Sequence, residues 1–303
     1  MSIATATTTA RYKSILERIN NGEQILIDGA TGTECERRGA PQVANTWNCA
    51  ATLSHPDLVR SIHEEYIDCG AEIIITNTFS SSRHALRSAG IEDQFEDITN
   101  AAVRVAQDAR TNCGKSDVAI AGGITHWIWT EDKPSMDELE VNSRDQAQLM
   151  AKAGCDLIML EMLINIDRLT ACIDGAQASG LPVWVGLSAE PIDGEMCLLD
   201  GESLVDAVAV IKEKGVSLIN IMHTEVDHVD ACLDVLDKYW DGAVGVYAHV
   251  CDFKPTGEAI YNDTISPADY AKAARRWLDR GVKVIGVCCG VRKEHICELQ
   301  NVI

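Results

Sequence analysis

Three observations in the sequence predict a (β/α)8 barrel. Eight short apolar runs recur at about 38 residues per unit over 303 residues, close to the pace of a barrel of ~250 residues with insertions. The runs are rich in Ile and Val and continuous rather than alternating, as strands buried on both faces are. Five of the amphipathic stretches between them close on a glycine just before the next run, the mark of a short helix-to-strand loop. A doubly wound open sheet is the rival, but Asp28-Gly29-Ala30-Thr31-Gly32-Thr33 lacks the third glycine of a dinucleotide fingerprint, and no Walker-type loop is present. With no linker, repeat or low-complexity tract, residues 1–303 read as a single barrel domain.

The predicted strands are Ile25-Leu26-Ile27, Glu72 to Thr76, Val118 to Ala121, Leu157 to Leu160, Val183 to Leu187, Leu218 to Met222, Ala243 to Ala248 and Val282 to Val287. Between them, Pro56 to Cys69 is a helix opened by Ser54-His55-Pro56 and closed at Gly70. Ser143 to Ala153 closes at Gly154, Ile166 to Ser179 at Gly180, and Ser203 to Lys214 at Gly215. Ser266-Pro267 opens a helix to Arg280 that stops at Gly281.

Composition narrows the function. The 46 acidic residues outnumber the 26 basic ones, for a formal net charge of −20. That balance argues against a nucleic-acid surface or an anionic membrane surface, both of which need clustered Lys and Arg. No uncharged apolar stretch reaches the roughly 18 residues of a membrane span. Met1 to Arg11 lacks the apolar core of a signal peptide, so the expectation is a soluble, reduced, cytoplasmic protein. Its twelve cysteines then read mostly as small core residues rather than a disulfide framework. The oligomeric state is open, a homo-oligomer included.

In a barrel of this type the chemistry lies at the C-terminal ends of the strands. Adjacent Cys288 and Cys289 at the end of the eighth run, followed by Gly290, are the most specific feature there. Both thiolates can reach one Zn²⁺ if the backbone turns sharply, and His223 after the sixth run is a fitting third ligand. The alternative is that the pair is core filler. Asp28 and Glu161 each follow a strand and share the mouth, as an acid–base pair, as a seat for a substrate ammonium, or as carboxylates bonded to loop amides.

These residues, taken with others, resemble the homocysteine S-methyltransferase family. The resemblance runs over nearly the whole chain: Ile27 to Glu34, Trp47-Asn48, His55 to Val59, Tyr66-Ile67, Gly70 to Phe79, Leu160-Glu161, and Gly286 to Gly290. It implies a zinc-dependent transfer of a methyl group from a small sulfonium or ammonium donor to homocysteine or a related thiol, giving methionine. It further implies that Cys288 and Cys289 hold zinc, that the zinc-activated substrate thiol is the nucleophile, that Asp28 and Glu161 bind the ammonium, and that Thr76 and Asn77 lie beside the substrate.

Three departures stand out. Where the family has a cysteine after its sixth strand, Asn220-Ile221-Met222-His223-Thr224 places a histidine, a competent zinc ligand that leaves the site one formal negative charge fewer. Such a site makes the bound thiolate a weaker nucleophile, suited to an activated donor such as a sulfonium. Tyr247-Ala248-His249-Val250-Cys251 replaces the family's Tyr-Pro-Asn-Ala-Gly, making Cys251 or His249 a rival ligand, with His223 preferred for its aligned position. After the third run, Trp127 and Trp129 stand where the family is small; they read either as faces for a cationic donor or as rim cover. Two other readings remain: hydrolysis by a zinc-bound water, and a catalytically silent zinc or thiol-amino-acid binder.

Overall fold

Every predicted apolar run forms a strand, and together these eight strands close on themselves. The computed structural model describes residues 8–43, 46–127, 133–249, 252–253, 259–260, 265–290 and 292–303. Its strands are β1 (Ile25–Gly29), β2 (Ile73–Ile75), β3 (Ala119–Ile124), β4 (Leu157–Leu163), β5 (Val183–Leu187), β6 (Ala189–Ile192), β7 (Glu195–Leu198), β8 (Leu218–Glu225), β9 (Ala243–His249), β10 (Asp252–Phe253), β11 (Ala259–Ile260) and β12 (Val284–Val287). The closed barrel runs β1-β12-β9-β8-β5-β4-β3-β2, every pairing parallel, while β6–β7 and β10–β11 are separate antiparallel hairpins.

The helices are α1 (Ala10–Asn20), α2 (Thr31–Arg37), α3 (Ala51–Ser54), α4 (Pro56–Asp68), α5 (Arg83–Ser88), α6 (Phe95–Asn112), α7 (Met136–Ala153), α8 (Ile166–Gln177), α9 (Leu204–Glu213), α10 (Val226–Tyr239), α11 (Pro267–Asp279) and α12 (Lys293–Gln300). Ser266, expected to open α11, caps it by accepting from Asp269 N, and Ser203, read as the first residue of α9, is its cap and accepts from Val205 N. At α4 the N-cap is His55, with no side-chain cap bond. Helix α7 begins at Met136 rather than Ser143, because Ser135 accepts from Glu138 N and caps it earlier. Gly154 ends α7 at φ 103°, a left-handed turn that needs glycine.

Two apolar layers explain why the strands read as continuous. Ile25, Ile27, Leu157, Met159, Trp184, Leu218 and Met222 pack inside the barrel. Leu26, Ile158, Leu160, Ile219 and Ile221, the alternate residues, pack outward with the helices. Helix α1, which the sequence reading passed over, adds Tyr12, Ile15 and Ile19 to the inner layer, and Trp184 Nε1 donates to Tyr12 Oη at 3.0 Å. This packing seals the end of the barrel where the strands begin, leaving the opposite end open for a site.

One expectation about the cysteines is corrected. Cys35, Cys49, Cys155, Cys172, Cys197 and Cys232 are buried thiols, as read. Cys69 and Cys297, grouped with them from the sequence, are instead joined in a disulfide across 228 residues. The reason is the packing of α12 against α4, which brings the two Cα atoms to 4.5 Å. In the chain-entropy account, a closure this long constrains the unfolded chain and stabilises the fold by about 2–4 kcal/mol. Cys297→Ser, or a phosphine reductant that does not bind metals, is expected to lower the melting temperature by roughly 5 °C. Identical calorimetric transitions with and without reductant would show that the bond is not formed in solution.

Candidate metal and substrate site

The site is built at three irregularities in the barrel ladder. Between Leu26 and Gly29 of β1, three steps along the strand match two on β12, from Ile285 to Val287. The same mismatch occurs on β4 between Leu160 and Leu163 against β5, and on β8 between Met222 and Glu225 against β9. Each inserts one extra residue, and a bulge of this kind re-aims a side chain. The polar residues within these three segments are Asp28, Glu161, His223 and Thr224, and the first three line the cavity. Strict alternation from Ile27 and Met222, both inward, would send Asp28 and His223 outward; the bulges let both line the cavity at the barrel mouth. His223 takes φ 44° and Met162, next to Glu161, φ 53°, left-handed conformations that ordinary side chains rarely adopt.

His223, Cys288 and Cys289 meet, with their ligand atoms all within 4.8 Å of one another. Cys288 Sγ lies 3.7 Å from His223 Nδ1 and 3.7 Å from Cys289 Sγ. Two sulfurs bound tetrahedrally at about 2.3 Å would stand about 3.8 Å apart, and a sulfur and an imidazole nitrogen about 3.6 Å. The donor set therefore fits a zinc ion in both chemistry and spacing, and three protein ligands leave a fourth position open. The Cys289 thiol, with His223 adding to it, holds the buried Cys288 well below the ordinary thiol range, so the metal-binding thiolate is favoured. His249 lies outside this cluster of ligand atoms but beside it, its ring 5.0 Å from that of His223. Cys251, the other rival ligand, lies outside the described residues.

The two carboxyls stand in the same cavity, almost wholly buried. Burial pushes Asp28 well above the usual carboxylate range, against the opposing effect of Ile75 N–H donating to its Oδ2 at 2.8 Å. Glu161 is pushed up likewise by burial, then by Cys288 and Asp28 nearby. Gly123 makes room for Glu161: a Cβ there would fall 2.4 Å from Oε1. Thr76 and Asn77 line the cavity, but their polar groups also brace its wall. Gly123 N donates to Thr76 Oγ1 at 3.2 Å, and Asn77 Nδ2 donates to Asn48 O and Thr52 Oγ1.

The remaining wall is mostly apolar, with Thr31, Thr33, Asn48 and Ser80 among its polar members, and the cavity encloses about 340 Å³. Trp127 contributes to it, whereas Trp129 lies outside the described residues. Trp47, Phe79, Met162, Leu199 and Met222 also line it, none of them assigned to the cavity from sequence. Tyr247 was missed as well; its buried hydroxyl has no hydrogen-bond partner among the described residues, and burial beside Glu161 raises it far above the ordinary phenol range. The signals for Tyr247 were its place near the end of a predicted strand and its match to the first residue of the family's Tyr-Pro-Asn-Ala-Gly segment.

Comparison with known proteins sets this geometry in context. Residues 25–303 match the model of the homocysteine S-methyltransferase family. The chain is 27% identical over 311 residues to an S-methylmethionine–homocysteine S-methyltransferase of Pongo abelii, covering 94% of this chain and 79% of the relative. It is 24% identical to a homocysteine S-methyltransferase of Bacillus subtilis, over 91% of this chain and 93% of the relative. The crystal structure of the metallated homocysteine methyltransferase MmuM from Escherichia coli superposes with a TM-score of 0.78 at 22% identity, covering 96% of this chain and 99% of the other, a likeness of fold.

The donor spacing leads to a direct measurement. Purified chain is expected to hold one zinc per molecule by elemental analysis, and Cys288→Ser or Cys289→Ser to lose it. His223→Ala is expected to lose it too; full retention in that variant would transfer the third position to Cys251.

Proposed function

The chain belongs to the homocysteine S-methyltransferase family, and from that premise we propose a zinc-dependent transfer of a methyl group from a small sulfonium or ammonium donor to homocysteine or a related thiol amino acid, giving methionine. The observation that carries this reading is the set of one imidazole and two thiols, at spacings suited to zinc, in one cavity with two buried carboxyls. His223, Cys288 and Cys289 would hold the metal, which when bound keeps a substrate sulfur as thiolate near neutral pH. We propose that the full chain, 1–303, acts as one domain around this site. Small molecules are its partners, and the described helices include none long and apolar enough to cross a membrane.

The chain's own residues supply positioning and environment. Asp28 and Glu161 receive the acceptor's ammonium, and its arrival favours the ionised form that burial alone disfavours. With the ammonium fixed, the acceptor sulfur has one approach to the donor methyl. The new S–C bond forms in line as the donor's S–C or N–C bond breaks, and the donor departs as a neutral sulfide or amine. Trp47, Phe79 and Trp127 offer aromatic faces to an onium cation and, with the methionines, exclude water.

Two outcomes test this. A panel of S-methylmethionine, S-adenosylmethionine, betaine and dimethylsulfoniopropionate should yield methionine from homocysteine with at least one member and none without a donor. Turnover without any thiol would instead indicate hydrolysis, and ligand binding with no turnover a silent binder. Asp28→Asn and Glu161→Gln are expected to raise the acceptor KM roughly a hundred-fold, since removing one partner of a buried charge pair costs about 2–5 kcal/mol. Because both carboxyls are raised and must ionise to hold the ammonium, the acceptor KM should climb as pH falls through their raised values. A flat pH profile of KM would remove them from the acceptor site.

A further inference from the structure

The extra residue in β8 creates a problem that the neighbouring strand solves. In the β8–β9 ladder Met222 pairs with Tyr247, and the next pair is Glu225 with His249. His223 and Thr224 therefore sit between these two rungs, two residues opposite the single Ala248, and His223 is in the left-handed region at φ 44°. Such a conformation persists only where the surroundings over-determine it. On the β5 side Thr224 Oγ1 accepts from Ala189 N at 3.1 Å and donates to Met222 O at 2.9 Å, closing the turn after His223. On the β9 side the His249 ring donates a hydrogen bond to the His223 backbone, and the two rings meet at 5.0 Å and 59°.

We infer that His249 is a positioning residue for the metal centre: its ring pins the bulged His223 turn and so aims the His223 imidazole at Cys288 and Cys289. His249 acts on the site through the shape of the turn and makes no bond to the metal. A ligand aimed by a fixed partner binds without first being ordered, and loss of such outer partners typically weakens metal binding by about 10–100-fold. The inference rests on the reading of His223 as a ligand.

The test is zinc affinity, measured by competition with a chromophoric chelator on the full chain, alongside X-ray absorption of the zinc-loaded protein. His249→Ala should bind zinc about 10–100-fold more weakly, with an unchanged count of two sulfurs and one imidazole. The melting temperature of its metal-free form should match that of the unaltered chain. His249→Gln, which keeps a donor, should recover most of the affinity. An unchanged affinity in His249→Ala overturns the inference. So does a lost imidazole in its absorption spectrum, which would make His249 a ligand, and so does a metal-free melting point that falls in step with affinity, which would make its role general. His223→Ala separates the two levels: if it binds zinc normally, the ligand reading itself fails. If it loses zinc while His249→Ala does not, only the positioning role fails.

Discussion

Pairing between β1 and β12 sets Gly29 beside Val287, and the site depends on that closure. Asp28 and Cys288 are separated by most of the chain, and in an open sheet they would lie at opposite edges. Closure makes them neighbours and brings the ends of β4 and β8 to the same opening, so a carboxyl from the first unit, one from the fourth, an imidazole from the sixth and two thiols from the eighth share one cavity. The tight inner layer, with α1 beneath it, holds this arrangement against the motion that would separate the donors.

The electrostatics follow from that convergence. Four groups able to carry negative charge, Asp28, Glu161, Cys288 and Cys289, are gathered where apolar walls offer little solvation. Unassisted, burial shifts both carboxyls toward the protonated form. A divalent ion at the sulfurs and an ammonium at the carboxyls would balance the charge without that protonation. The cavity is thus complementary to two cations at once, and an onium donor facing its aromatic rings is consistent with the same field.

The sequence made some of this visible and hid the rest. The eight strands were legible because each is apolar on both faces, and the two layers seen inside and outside the barrel are the physical cause of that pattern. Cys288-Cys289 was legible because two neighbouring thiols at a strand end have few other uses. The places of Asp28 and His223 at the mouth were read from the strand ends, but the bulges that aim them there were not legible, since alternation alone turns both outward and nothing in the residue types announces an inserted position. Helix α1 and the β6–β7 hairpin fell outside the repeating pattern, and with the hairpin went Leu199, which follows it in the cavity wall. His249 was considered as a ligand because it was close in sequence to the right place; its contact with His223 emerges only once β8 and β9 lie side by side. Cys69 and Cys297 looked like other core cysteines because their partnership depends on α12 lying against α4.

That last bond changes what kind of object the polypeptide is. From residue 69 to residue 297 the chain is a covalent ring, with only the first barrel unit and a few final residues as tails. A protease cutting once in any surface loop of that ring would open it without releasing a fragment, because both pieces remain attached through sulfur. The segment bearing Cys288 and Cys289 lies just inside the ring's closing point, so the end of the barrel that carries these two thiols is fastened to the scaffold from both directions along the chain.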